Sequence, residues 1–146
     1  MGDAMTSANR RPFGITVLVS LFAIGVCASL ISAVSLSFPG SFLEAVWRLN
    51  PRAREGFNHL GGWAILLMIS VCIACALTVM GLWRGRLWGY WLALAMLLLN
   101  VAGDFINVIS GSEPKAIVGI PIVLVIVVYL LRNRTRQYFK STPRVY

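Results

Sequence analysis

The residue in this chain with the most chemistry to offer is an aspartate set inside an apolar run. Asp104 lies in the stretch Gly89 to Gly111 and is the only carboxylate within a segment long enough to cross hydrocarbon. Asn100 and Asn107 flank it at spacings of four and three, which on a helix places all three side chains along one narrow stripe. At about 100° per residue the same stripe takes in Gly89, Ala93 and Gly111, while Trp91, Leu94, Leu98, Phe105 and Ile109 fall on the opposite side and are expected to meet lipid. An ionisable side chain costs about 2.5–3.5 kcal/mol at the centre of a membrane span, so such residues face protein or water and mark functional sites. Asp104 stands seven residues before Gly111, about 10 Å from the end of its helix, which puts it in one half of the bilayer rather than at the midplane.

Two kinds of chemistry suit this stripe. In one, the carboxylate is held by a cation and by the amides of Asn100 or Asn107, fixing how helices meet. The cation would come from His59 at the start of the preceding span, or from Arg54 or Arg52 in the loop before it. In the other, Asp104 binds a proton, a cation or a polar ligand. Cys72-Ile73-Ala74-Cys75 invites comparison with four-helix membrane disulfide oxidoreductases, but it lies at the middle of an apolar span, where a buried thiol is inert, and reads as core packing. Small multidrug transporters also have four short helices, yet they need a carboxylate in the first helix and this one has none. The sequence supplies no Ser-His-Asp set, no glycine-rich phosphate loop and no metal-ligand cluster, so no catalytic residue, metal or cofactor is assigned.

The elements that would position Asp104 follow from composition. The 146 residues are 58% hydrophobic and only 12% charged, with a mean hydropathy of +0.79, which is the composition of a membrane protein. The net charge of +8 is distributed between and beyond apolar runs rather than interleaved with aromatics along one surface, which argues for membrane topology and against nucleic acid. The expected fold is all-α, an antiparallel four-helix transmembrane bundle with spans at about 13–36, 60–83, 87–111 and 113–131, preceded by an arm of residues 1–12 and followed by a basic tail of residues 132–146. The first run is too long for the apolar core of a cleaved signal peptide. Gly25, Ser29 and Ser32 give it a small-residue surface for close packing. Trp63 and Trp83, about 30 Å apart on a helix, mark the ends of the second span, with Trp88, Tyr90 and Trp91 in the same aromatic belt. Arg84-Gly85-Arg86 forces the second and third spans to be antiparallel neighbours. Ser112-Glu113-Pro114 reads as a helix start, Pro121 as a kink and Tyr129 as the anchor of the far end.

Between the first two spans, Ser41 and Glu44 form the Ser-x-x-Glu of a capping box ahead of Phe42, Leu43, Val46, Trp47 and Leu49, which predicts a short helix over 41–50 ending at Asn50-Pro51, either lying in the membrane interface or folded over the end of the bundle.

Orientation follows from the basic residues. Nine of the thirteen, Arg10, Arg11, Arg84, Arg86, Arg132, Arg134, Arg136, Lys140 and Arg144, share one side, whereas Arg48, Arg52, Arg54 and Lys115 share the other. The positive-inside rule then sets both termini in the cytoplasm. Arg132, Arg134, Arg136 and Lys140 are the residues expected to hold the tail on anionic lipid, at about 1 kcal/mol each.

The stretch Gly81-Leu82-Trp83-Arg84-Gly85-Arg86-Leu87-Trp88-Gly89-Tyr90-Trp91, with Gly103-Asp104-Phe105-Ile106-Asn107, Tyr129-Leu130-Leu131-Arg132 and Arg136-Gln137-Tyr138-Phe139, resembles a pattern of small four-span bacterial integral membrane proteins of unassigned activity. The resemblance covers spans two to four and implies a bacterial inner membrane without implying a reaction. The sequence therefore reads as a non-enzymatic accessory or scaffold protein, partnered by the bilayer and by a second copy or another membrane protein. The alternatives are an oligomeric transporter or channel using Asp104, and a membrane thiol-redox enzyme.

Overall fold

A computed structural model describes residues 13–109 and 116–132, together with Phe139. Every regular element among them is helical: α1 (Phe13–Ser37), a 3₁₀ helix (Phe42–Arg48), α2 (Pro51–Leu60), α3 (Gly62–Trp83), α4 (Leu87–Ile109) and α5 (Ala116–Leu131). Three helices are long and apolar enough to cross a membrane, over Phe13–Ser37, Gly62–Trp83 and Leu87–Ile106. The described part of α5 is 16 residues, about 24 Å at 1.5 Å per residue, shorter than the ~30 Å hydrocarbon core. Residues 113–115, which the sequence assigns to the same span, lie outside the described residues.

α1 packs against α3, α3 against α4, and α4 against α5. The α1–α3 contact uses the small residues expected for it. Ser29 is buried and returns its hydroxyl to the Gly25 carbonyl at 2.7 Å, which leaves α1 smooth there. Cys72 of α3 donates its S–H to the Val26 carbonyl at 3.7 Å, and the Cys75 sulfur would stand 3.3 Å from a Cβ at Gly25.

α3 passes into α4 through a tight turn whose geometry explains its sequence. The Gly85 N–H bonds the Leu82 carbonyl at 3.1 Å, and the Arg86 N–H bonds the Gly81 carbonyl at 2.9 Å. This is the double reverse bond that ends a helix on a left-handed residue, and Gly85 adopts φ 62°. Directly beside the turn Gly81 and Gly89 meet backbone to backbone, so close that a Cβ on either would collide with the other helix.

Most of the core lies at this turn end. Ile15, Leu18, Val19 and Phe22 of α1, Leu82 of α3, Tyr90, Ala93, Leu94 and Leu97 of α4, and Val127 and Leu130 of α5 form one cluster. Two expectations fail here. Tyr90 is buried rather than part of an aromatic belt: it donates its hydroxyl proton to the Leu130 carbonyl at 3.3 Å and packs its ring on Phe139, centroids 5.4 Å apart. Leu94 is also buried rather than lipid-facing, because α4 has neighbours on two sides and its covered face is correspondingly wider. Trp91, Leu98, Phe105 and Ile109 are exposed on the predicted face.

The loop after α1 differs more. In place of one helix over 41–50 there is a 3₁₀ helix, Phe42–Arg48, and then a second helix, α2, which Asn50 and Pro51 begin. Asn50 caps α2 by accepting the Ala53 N–H on its side-chain oxygen at 3.1 Å, and proline at the first position loses no bond. The capping box does not form. In a 3₁₀ turn the Glu44 N–H is taken by the Ser41 carbonyl at 3.0 Å, and the Glu44 carboxylate is drawn to Arg54 at 2.7 Å. Trp47 is buried, donating its indole N–H to the Ser35 hydroxyl at 2.9 Å, and Phe57 packs on it edge-on. Gly61, with φ 55°, joins α2 to α3.

Candidate functional site

α4 presents the polar residues, and its neighbours decide which are covered. From Gly89 to Leu97 the helix is anchored by Gly89, Tyr90, Ala93, Leu94 and Leu97, all buried. Beyond Leu97 no described residue of α4 is fully buried, and only the line Val101, Asp104, Val108 stays half-covered. Asp104 continues the seam 90, 94, 97, 101, 104, 108, whose alternating spacing of four and three keeps one side of the helix against a neighbour.

That neighbour is α5 at Gly119. The Asp104 Oδ2 would stand 3.1 Å from a Cβ at Gly119, so the carboxylate occupies space left by a missing side chain. It is half-buried, and among the described residues no cation is paired with it. Arg54 is engaged elsewhere: its Nη2 meets Glu44 at 2.7 Å and its guanidinium lies 5.5 Å from the Trp47 ring centre. His59 is exposed near the end of α2. Asn100 is exposed too, rather than turned inward. The Asn107 side chain lies outside the described residues, as do Arg134, Arg136 and Lys140; Arg132 is exposed directly after α5.

The structure thus brings Asp104 to Gly119 and pairs Arg54 with Glu44. Gly119 was not singled out from the sequence, since a glycine among valines and isoleucines carries no partner label, although small residues are the usual means of admitting a side chain between membrane helices. Cys72 and Cys75 lie on α3 against α1, and the buried Cys75 is in the core. Among the described residues no three His, Cys, Asp or Glu side chains converge on a point. Comparison with protein-family models, with curated proteins and with solved structures finds no match.

Proposed function

We propose that this protein is a four-span component of a bacterial inner membrane, an antiparallel quartet of α1, α3, α4 and α5 with both termini in the cytoplasm, acting as a non-enzymatic accessory or scaffold subunit. The skew of basic residues toward the turn between α3 and α4 supports the orientation. In this reading Arg132, Arg134, Arg136 and Lys140 rest on anionic headgroups.

One observation carries the accessory role: the polar surface of α4 is divided. Asp104 is turned onto Gly119 of α5, whereas Asn100 on the same helix is left uncovered. An amide exposed at membrane depth gains from a partner inside the bilayer, by about 0.6 kcal/mol on average and up to ~2. A transport reading is favoured by a different fact, the lack of a cation beside Asp104 among the described residues. Asp104→Asn separates the two, because it keeps the size and polarity of the side chain and removes its charge. In proteoliposomes the accessory reading expects no proton or cation flux from either protein, and membrane assembly that changes with the charge. Flux that is present in the wild type and lost in a normally folded variant would replace the accessory reading with transport.

A further inference from the structure

The 3₁₀ helix between α1 and α2 turns its apolar side chains away from the rest of the protein. Residues three apart eclipse in such a helix, so its side chains fall in three lines. One line faces inward: Trp47 donates to Ser35, and Glu44 pairs with Arg54. The other two face outward. Phe42, Ala45 and Arg48 form one and are all exposed; Leu43, Val46 and Leu49, whose backbone continues the turn, form the other, with Leu43 half-buried. Phe42 is 88% exposed and Leu49 89%, more than any other large apolar residue among those described. α2 does the opposite. Its half-buried Arg54 and Phe57 cover Trp47, the Phe57 ring at 5.6 Å and the guanidinium at 5.5 Å from the ring centre. Arg52, Glu55 and His59, within about 60° of one another on the far side of α2, are exposed. The loop thus pairs an apolar outer surface on its first helix with a polar one on its second.

We infer that the 3₁₀ helix lies in the boundary between headgroups and acyl chains at that end of the bundle, with Phe42, Val46 and Leu49 against lipid, Arg48 among the phosphates and α2 covering it from the aqueous side. It rests on the membrane-spanning reading and makes phospholipid the occupant of this surface. The hydrogen bond to Ser35 sets the depth. Ser35 stands two residues, about 3 Å, before the end of α1, inside the apolar run that begins at Phe13. The 3₁₀ helix is therefore folded back beside the last turn of α1, at the level where a spanning helix meets the headgroups. In the antiparallel quartet proposed above, the contact of Cys72 with Val26 brings Trp63 to the level of Ser35, and both Trp63 and Phe38 are exposed there, as rings of an interfacial belt are. The apolar surface is also continuous with the lipid-facing one, since Leu30, Ile31 and Val34 are exposed along the adjoining turns of α1. Charge agrees with depth: Arg48 ends one of the apolar lines, where its stem can lie along acyl chains while its guanidinium meets phosphate.

The experiment uses the full chain, with Cys27, Cys72 and Cys75 replaced by alanine, in liposomes of phosphatidylcholine and phosphatidylglycerol. Single cysteines are introduced by Phe42→Cys, Leu49→Cys, Glu55→Cys and Ile24→Cys, all at exposed positions, and labelled with nitrobenzoxadiazole. Quenching by a lipid with its nitroxide near the top of the acyl chain is compared with quenching by iodide in the water. The lipid quencher should act at least threefold more strongly on positions 42 and 49 than on position 55, and iodide should show the reverse order. Iodide quenching of 42 and 49 equal to that of 55 would overturn the inference, because the whole loop would then stand in water. Position 24, in the middle of α1, separates this failure from a wider one: its quenching by a nitroxide deep in the acyl chain keeps the membrane-spanning reading, whereas its quenching by iodide overturns that reading too. Labels at 42 and 49 shielded from both quenchers would mean that a protein surface covers them, which also overturns the inference.

Discussion

Alanine at Gly89 is the sharpest perturbation the packing allows. A Cβ there would stand 2.5 Å from the Gly81 Cα and 2.7 Å from the Leu82 nitrogen. Carbon atoms rest at about 3.5–4.0 Å, so the helices must separate by about 1 Å, and the obstruction is backbone, which has no rotamer to yield. Overpacking of this kind costs about 1–3 kcal/mol, and the upper end applies because nothing at the crossing can step aside. Replacing glycine by alanine inside a helix returns about 0.5–1 kcal/mol, leaving a net loss of about 2 kcal/mol. Gly103→Ala gains the same propensity with no collision within 4 Å and should be stabilised by up to about 1 kcal/mol. Gly25→Ala, 3.3 Å from the Cys75 sulfur, should fall near zero. Unfolding of the three variants in mixed micelles with increasing dodecyl sulfate, followed by circular dichroism, measures the order. Gly89→Ala within about 0.5 kcal/mol of Gly103→Ala would refute the backbone contact that holds α3 to α4.

Three further outcomes are expected. Trp47→Phe leaves the buried Ser35 hydroxyl without its 2.9 Å donor and should cost about 1–2 kcal/mol, seen as faster tryptic cleavage at the exposed Arg48; unchanged cleavage would mean that the loop is not docked on α1. Tyr90→Phe removes only a long hydrogen bond and should cost under about 1 kcal/mol, whereas Tyr90→Ala empties the site that holds Phe139 and should cost about 3–5 kcal/mol in the same unfolding assay. In folded protein Cys75 should resist a lipid-permeable maleimide, and Cys72→Ala with Cys75→Ala should leave partner binding intact; rapid modification of Cys75 would reopen the thiol-redox reading.

The apolar runs were legible because length and composition determine a membrane helix with little help from context. The first is expected over 13–36 and found at Phe13–Ser37, and the second is expected at 60–83 and found at Gly62–Trp83. The Arg84-Gly85-Arg86 turn was legible for a similar reason, since only glycine fits its left-handed position without strain. What escaped depended on choices between equally plausible local partners. Asn50-Pro51 serves as both a stop and a start, and α2 was missed because its few apolar residues give it no run to detect, even though asparagine before proline is a good helix beginning. Glu44 could bond backwards to a cap or forwards to Arg54, and only the fold brings Arg54 near. Phe139, set among basic residues, reads as tail, yet it packs against Tyr90. At the candidate site, Asp104 was identifiable by its type alone. The exposure of Asn100 was not, because the stripe predicts a shared face and says nothing of how far along it a neighbouring helix covers that face.

The central claim is that the Asp104 side chain faces α5 at Gly119 and not the lipid. Its most direct test is oxidative cross-linking of Asp104→Cys with Gly119→Cys, in protein whose Cys27, Cys72 and Cys75 are replaced by alanine, within membranes. The close approach of the Asp104 carboxylate to Gly119 predicts rapid intramolecular disulfide formation, with pairing of Phe105→Cys and Gly119→Cys far slower because Phe105 is exposed on the other side of α4. Cross-linking of position 105 in preference to position 104 would contradict it.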